Sequence, residues 1–310
     1  MVIKEILAIL IRLSGIPLFV REVLCQKQAT VLMYHDPKPE TFAKHLAYLS
    51  KHYRFISLDH LVEAIYSSDA SKLPPKSVVI TIDDGHAGNF HLLPLFRKYN
   101  LRPTLFVCSQ IVGTTRRFWF MADPLKRDKA ARERLKRLPH AERLARLKMA
   151  YGFDPKQAQA QRQALGTQEL GEMAADVDFQ AHTRFHPILT TCDDATCERE
   201  ISGCRNDLEG ILGQKPTHFC FPNGDYTARE IAMVKKAGYR SARTSDAGWN
   251  DINSDPYRLK AMDISDDASI NRLVAQMCGA FQFLKYALRG RFDSTHPTIT
   301  SDHNVGVNHE

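Results

Sequence analysis

The chain has 310 residues, 44% of them hydrophobic and 25% charged, with 42 Lys and Arg against 35 Asp and Glu. That is enough apolar material for a sizeable core, and it excludes a disordered, collagen-like or low-complexity chain. The net charge of +7 is mild: it suits solubility first and an anionic surface or substrate second, and no nucleic-acid partner is expected.

In chain order, residues 3–24 (IKEILAILIRLSGIPLFVREVL) come first. Arg12 interrupts the apolar run, and Arg21 and Glu22 stand where a cleavage site would follow, so neither a signal peptide nor a membrane span is expected. Residues 1–27 read instead as an amphipathic helix. It packs on its own domain in the first reading and makes peripheral membrane contact in the second. The seven cysteines are odd in number and contain no C-x-x-C pair. A disulfide framework and a cysteine zinc site are therefore unexpected, and a reducing, cytoplasmic location at or near the inner face of the membrane is favoured.

Seven short apolar runs then read as buried strands: Ala29–Tyr34, Phe55–Leu58, Ser77–Ile82, Thr104–Cys108, Val177–Ala181, His218–Phe221 and Tyr239–Arg243. Amphipathic helices separate most of them, at Thr41–His52, Leu61–Ser67, Leu92–Tyr99, Cys197–Leu212 and Ala228–Ala237. Strand alternating with helix predicts a parallel α/β architecture, and about seven units is closer to a (β/α) barrel than to an open sheet. The rhythm breaks between about 123 and 175. There a charged stretch, KRDKAARERLKRLPHAERLARLK, carries Pro139 as a break and reads as a helical insertion on the barrel. The barrel is expected over 28–291, and the polar tail 292–310 is expected to be disordered.

Three motifs sit just after predicted strands, where α/β barrels carry their chemistry. Thr81-Ile82-Asp83-Asp84-Gly85 places two carboxylates side by side, an arrangement that needs a cation or hydrogen bonds; the bland reading is a surface Asp-Asp-Gly turn. His182-Thr183-Arg184-Phe185-His186-Pro187 places two imidazoles four residues apart, able to reach one metal from a loop or a single helical turn. An Asp and two His make a three-ligand set that leaves positions open for water and substrate. Phe219-Cys220-Phe221-Pro222-Asn223-Gly224-Asp225-Tyr226 offers a Pro-Asn-Gly turn able to aim backbone N–H groups at an oxyanion.

With these motifs the chain resembles the polysaccharide deacetylase family, also called carbohydrate esterase family four. T-I-D-D-G resembles that family's T-F-D-D-G, H-T-x-x-H-P its H-[ST]-x-x-H-P, and F-C-F-P-N-G-D-Y its F-x-Y-P-x-G; VLMYH, F-x-x-H-L-x-x-L and FISL also match, over roughly residues 28–260. The resemblance implies a distorted (β/α) barrel of about seven strands and a hydrolase that removes N-acetyl groups from an amino-sugar polysaccharide, oligosaccharide or lipid-linked sugar. It implies one divalent metal, zinc first and cobalt, nickel or iron as alternatives, held by Asp84, His182 and His186. Asp83 would be the general base, and the backbone N–H of Asn223 would help to stabilise the tetrahedral intermediate. Pro222, Tyr226 and Trp249 are expected to line the sugar site.

Two departures bear on this. The Arg that steadies the base in many members is replaced by Cys220, with Arg184 or Arg243 as possible substitutes. The family's closing Leu-x-His is absent from Leu259–Ile264, so His35 is the candidate general acid. A hydrolase of another amide and a sugar-binding pseudoenzyme are the competing readings.

Overall fold

The computed structural model describes residues 2–281 except Pro124. The expected disordered tail, and residues 282–291 of the expected barrel, lie outside the described residues.

Eight strands form one sheet: β1 (Ala29–Tyr34), β2 (Arg54–Phe55), β3 (Ser77–Asp84), β4 (Thr104–Val107), β5 (Asp178–Ala181), β6 (His218–Cys220), β7 (Ser241–Arg243) and β8 (Met262–Asp263). Their order is β7-β6-β5-β4-β3-β1-β8, with β2 beside the start of β3, and every strand pair is parallel. The two ends of the path meet through one short stretch. Leu259 bridges to Arg243 in parallel, and three residues later Met262 pairs with Leu32 of β1. The sheet therefore curls into the distorted seven-strand barrel expected, with β2 as an extra short rung.

β1 and β3 are buried along their whole length. Both faces of these strands are covered, which is why they read as continuous apolar runs and not as alternation. Helices α3 (Pro39–His52), α5 (Leu93–Lys98), α9 (Asp194–Leu212) and α10 (Ala228–Lys236) cover the outside, while α4 (Leu58–Ser67) packs Leu61 and Val62 into one cluster with Val31 and Val79. Local signals set their starts. Ser57 caps α4 by accepting from the His60 N–H, Asp193 caps α9 at Thr196, and Thr227 with Glu230 forms a capping box on α10. FISL was expected to be strand throughout, but pairing ends at Phe55 and Leu58 opens α4, because the Ser57 cap intervenes.

Alternation along the strands divides the core in two. Leu32, Tyr34, Ile80, Ile82, Leu105, Val107 and Phe219 pack outward with the helices. Val31, Met33, Val79, Phe106, Cys220 and Ala261 share a second cluster on the other face of the strands. Successive strand residues point to opposite faces, so Asp83, Arg243 and Asp263 fall on the inner side with Met33 and Cys220. The barrel lumen is thus apolar in its middle and charged at its C-terminal end.

Residues 108–177 connect β4 to β5, and the expected helical insertion lies within them. It holds α6 (Lys129–Lys136), α7 (His140–Tyr151) and α8 (Thr167–Met173). Pro139 separates α6 from α7, as its missing N–H and fixed φ require. A small core of Trp119, Leu125, Leu135, Leu147 and Phe153 holds the insertion against Ile188.

The N-terminal stretch forms two helices and not one: α1 (Val2–Leu13) and α2 (Ile16–Glu22), parted at Gly15 with φ 79°. Gly adopts that left-handed conformation at little cost. α1 packs on α11 (Ile270–Met277), and no described helix is long and apolar enough to cross a membrane.

Candidate metal and catalytic site

Asp83 and Asp84 end β3, buried at 4% and 3% exposure. Asp84 takes φ 72° and Gly85 φ 76°, so the chain turns sharply out of the strand. Position 85 requires glycine. A Cβ there would lie 2.8 Å from Cγ1 of Val107, in addition to the left-handed φ.

His182 follows β5 directly. Its Nδ1–H donates to the Cys220 carbonyl at 2.9 Å, which leaves Nε2 facing Asp84 Oδ1 at 3.4 Å. His186 Nε2 lies 3.3 Å from the same oxygen. The segment between them is a loop and not a helical turn, because Thr183 and His186 have φ of 65° and 58°. Several bonds over-determine that loop. The His186 N–H donates to Thr183 Oγ1, the Arg184 and Phe185 N–H groups donate to Glu200 Oε2, and Trp119 Nε1 donates to the His186 carbonyl. Backbone strain held by surrounding contacts is a mark of functional sites.

In each carboxylate one oxygen accepts a hydrogen bond and the other is buried without one. Asp84 Oδ2 accepts from His86 Nε2 at 3.1 Å, while Asp84 Oδ1 is buried without a hydrogen-bond partner. Asp83 Oδ2 accepts from the guanidinium of Arg243, while Asp83 Oδ1 is buried and unpartnered. Arg243 is fully buried and also contacts the Cys220 Sγ at 2.7 Å and the Thr244 carbonyl at 3.1 Å. Of the two candidate replacements for the missing Arg, it is Arg243 that reaches the base; Arg184 pairs with Asp207 at 2.9 Å. Sequence reasoning left Arg184 and Arg243 open and did not name His86.

The electrostatics follow from burial and these partners. Burial pushes the Asp84 carboxyl up, but His186, His182 and His86 pull it well below the usual carboxylate range. Burial drives His186 down to about 3, so the imidazole is neutral. Burial also opposes charge on His86, and the Asp84 carboxylate outweighs it, raising that histidine. A buried, ionised oxygen facing two imidazole nitrogens suits a divalent cation. Asp84, His182 and His186 can bring one ligand atom each to within 4.8 Å of the others. The orphaned Asp84 Oδ1 at their centre is the observation that favours a metal there, and the Nδ1–H of His182 has the outer partner expected of a ligating histidine.

These groups open into a cleft of about 1210 Å³. His35, Asn223, Trp119, Phe120 and Asp263 line it. Phe120 packs edge-on against His186, with ring centres 4.9 Å apart. His35 is fixed through its backbone: its N–H donates to Asp266 and its carbonyl accepts from Asn89. Asp263 stands on β8 within the stretch where the family's Leu-x-His is missing. It is open to the cleft yet crowded by protein, and this desolvation raises its carboxyl, with His35 opposing and Asp83 adding to the rise. Asn223 takes φ 60°, and the cleft-facing residues of its turn are Asn223 and Gly224.

The expected sugar-lining residues fare differently. Pro222 is buried and does not line the cleft. Tyr226 does not line the cleft itself; it stacks on Phe221 and its hydroxyl donates to Asp246 at 2.5 Å, and both of those residues do line it. Trp249 packs with Ala8, Ile11 and Val20 of the N-terminal helices, away from the cleft. The aromatic wall comes instead from Trp119 and Phe120 of the insertion; the cluster Phe118-Trp119-Phe120 was its only sequence signal.

The family model for polysaccharide deacetylases matches residues 70–242. Among solved structures, the Streptococcus pyogenes deacetylase PplD, in complex with acetate, superposes with a TM-score of 0.59 at 18% identity, over 81% of this chain and 98% of that one. IcaB from Ammonifex degensii gives 0.58 at 18% identity, over 81% and 97%. A de-N-acetylase from Aggregatibacter actinomycetemcomitans gives 0.56 at 15%, over 80% and 99%. At these identities the likeness is one of fold. No curated protein matches the chain by sequence.

Proposed function

Because the chain belongs to the polysaccharide deacetylase family, we propose that it removes N-acetyl groups from an amino-sugar polysaccharide, oligosaccharide or lipid-linked sugar, with one divalent metal, zinc first. The observation that carries this reading is the convergence of Asp84 Oδ1, His182 Nε2 and His186 Nε2 beside a second buried carboxylate, at the floor of an open cleft.

When bound, the ion would supply Lewis acidity to the acetyl carbonyl and to the attacking water. Asp83 takes the proton from that water. Arg243 holds Asp83 Oδ2, which fixes the carboxylate plane and leaves Oδ1 as the oxygen that receives the proton. The N–H of Asn223, in its left-handed turn at the cleft, donates to the oxygen that becomes negative when the carbonyl is attacked. His35 gives a proton to the departing amine, so that acetate and a free amino sugar leave. Phe120, half-buried at the cleft, offers an apolar face to the sugar ring, with the buried Trp119 packed behind it.

Acetate release from N-acetylglucosamine oligomers, with added zinc or cobalt, tests this. Metal-dependent release that Asp83→Asn abolishes is expected. Stoichiometric metal without release from any acetylated sugar would move the assignment to another amide. A wild-type protein that binds no divalent metal would favour the pseudoenzyme.

A further inference from the structure

The apolar residues left uncovered are concentrated in one place. Among the described residues, ten of the thirteen exposed large hydrophobics fall between positions 3 and 24. On α1 they are periodic: Ile3, Ile6, Leu10 and Leu13 recur at three- and four-residue steps and share one face. The opposite face carries Leu7, Ala8 and Ile11, which pack in the cluster with Ala275 and Cys278. α1 thus has two apolar faces, and among the described residues the domain covers only one of them. Ile16, Leu18 and Phe19 of α2 and then Val23 and Leu24 continue the uncovered surface, each at least 45% exposed. So large an exposed apolar patch marks an interaction surface.

Charge around the patch selects the partner. Residues 3–27 hold four basic side chains, Lys4, Arg12, Arg21 and Lys27, against Glu5 and Glu22. Both acids are already engaged. Glu5 accepts from Ser269 and Asn271, and Glu22 pairs with Arg21 and Lys76. Arg12 in turn donates to Asn271, so the segment as a whole is net positive, on a chain of net charge +7. Large apolar side chains on one face of short helices, in a net-basic segment and with no described helix able to span, suit the interface of an anionic bilayer. A neutral protein surface would make no use of the charge.

We propose that α1 and α2 dock the protein on an anionic lipid surface, with Ile6, Leu10 and Phe19 entering the acyl boundary and the exposed basic side chains of the segment, Lys27 among them, meeting headgroup phosphates. Lys4 and Leu7 of the same helix also line the catalytic cleft. Docking would hold the mouth of the cleft beside the lipid surface, where an acetylated sugar on a lipid carrier would present itself. The docking itself does not depend on the deacetylase assignment, because it is read without any catalysis.

The test is co-sedimentation of the full chain with phosphatidylcholine vesicles, with and without phosphatidylglycerol. The wild type should pellet with the phosphatidylglycerol vesicles and be released by high salt. Ile6→Ser/Leu10→Ser/Phe19→Ser should lower the partition coefficient by about tenfold or more. These side chains are 53%, 59% and 57% exposed, so the variant should melt as the wild type does. Wild type that stays in the supernatant overturns the proposal, as does a triple variant that still pellets. Equal binding to both vesicle types overturns its anionic part. A wild-type dimer that the triple variant turns into a monomer, without vesicle binding, assigns the face to a second copy instead.

Discussion

Replacing Arg243 by Met would leave the buried Asp83 carboxylate without its compensating charge. The Arg243 side chain is fully buried and that of Asp83 is 5% exposed, so little solvent screening intervenes. Two unit charges about 4 Å apart at an effective dielectric near 20 attract by about 4 kcal/mol. Removing one member of a buried pair costs about 3–5 kcal/mol, because the survivor stays desolvated. The two routes agree. Arg243→Met should lower stability by about that amount, or the melting midpoint by roughly 5–8 °C for a chain of this size. The assay is urea unfolding in chelator, run as a cycle with Asp83→Asn and the double variant. The double variant should be more stable than the sum of the single losses predicts, by about 2–3 kcal/mol. Additive losses, within about 0.5 kcal/mol, would refute the pairing and with it the claim that Arg243 stands in for the Arg missing at Cys220. Arg243→Met should also cut acetate release, since nothing then fixes the plane of the base.

Asp84→Ala and His186→Ala should each weaken cobalt or zinc binding by at least about 100-fold in calorimetry; unchanged affinity would place the metal elsewhere. Chelation should lower the melting midpoint of the wild type and leave that of Asp84→Ala unmoved, since only the former has binding energy to lose. Asn223→Gly should retain stability and activity, whereas Asn223→Ala should cost about 1 kcal/mol at φ 60°; equal melting points would show that the turn carries no strain. Burial, aided by Arg143, holds His140 down to about 4. Its folded value is below its unfolded one, so the unfolded chain binds the extra proton first. The stability this gives is present above about pH 6.5 and is lost as pH falls towards 4. Discounted for partial exposure, it is about 1–2 kcal/mol. His140→Gln should flatten that part of the pH–melting curve, and an identical curve would count against the assignment.

Much of the site was legible because it sits at strand ends. Apolar runs define β3, β5 and β6, and parallel connection puts all their C-termini at one end of the barrel. Asp83, Asp84, His182, His186 and Asn223 were therefore found from local sequence, and so was the barrel itself from its strand–helix rhythm. Helix starts were legible for the same reason wherever a cap such as Ser57 or Thr227 acts within one turn.

What only the tertiary structure decided depends on contacts between distant positions. Arg243 lies 160 residues from Asp83 and meets it only because barrel closure turns both strands' inner faces to one lumen. β8 pairs over two residues, too few to leave a period in the sequence, yet it completes the ring and sets Asp263 in the cleft. Trp249 was assigned to the sugar on residue type alone; its packing partners come from helices at the other end of the chain. The N-terminal segment shows the same division. Its amphipathic character was plain in the sequence, but a helix with two apolar faces does not reveal which one its own domain will cover. Only the packing of α1 on α11 decided that, and it left Ile3, Ile6, Leu10 and Leu13 facing outward.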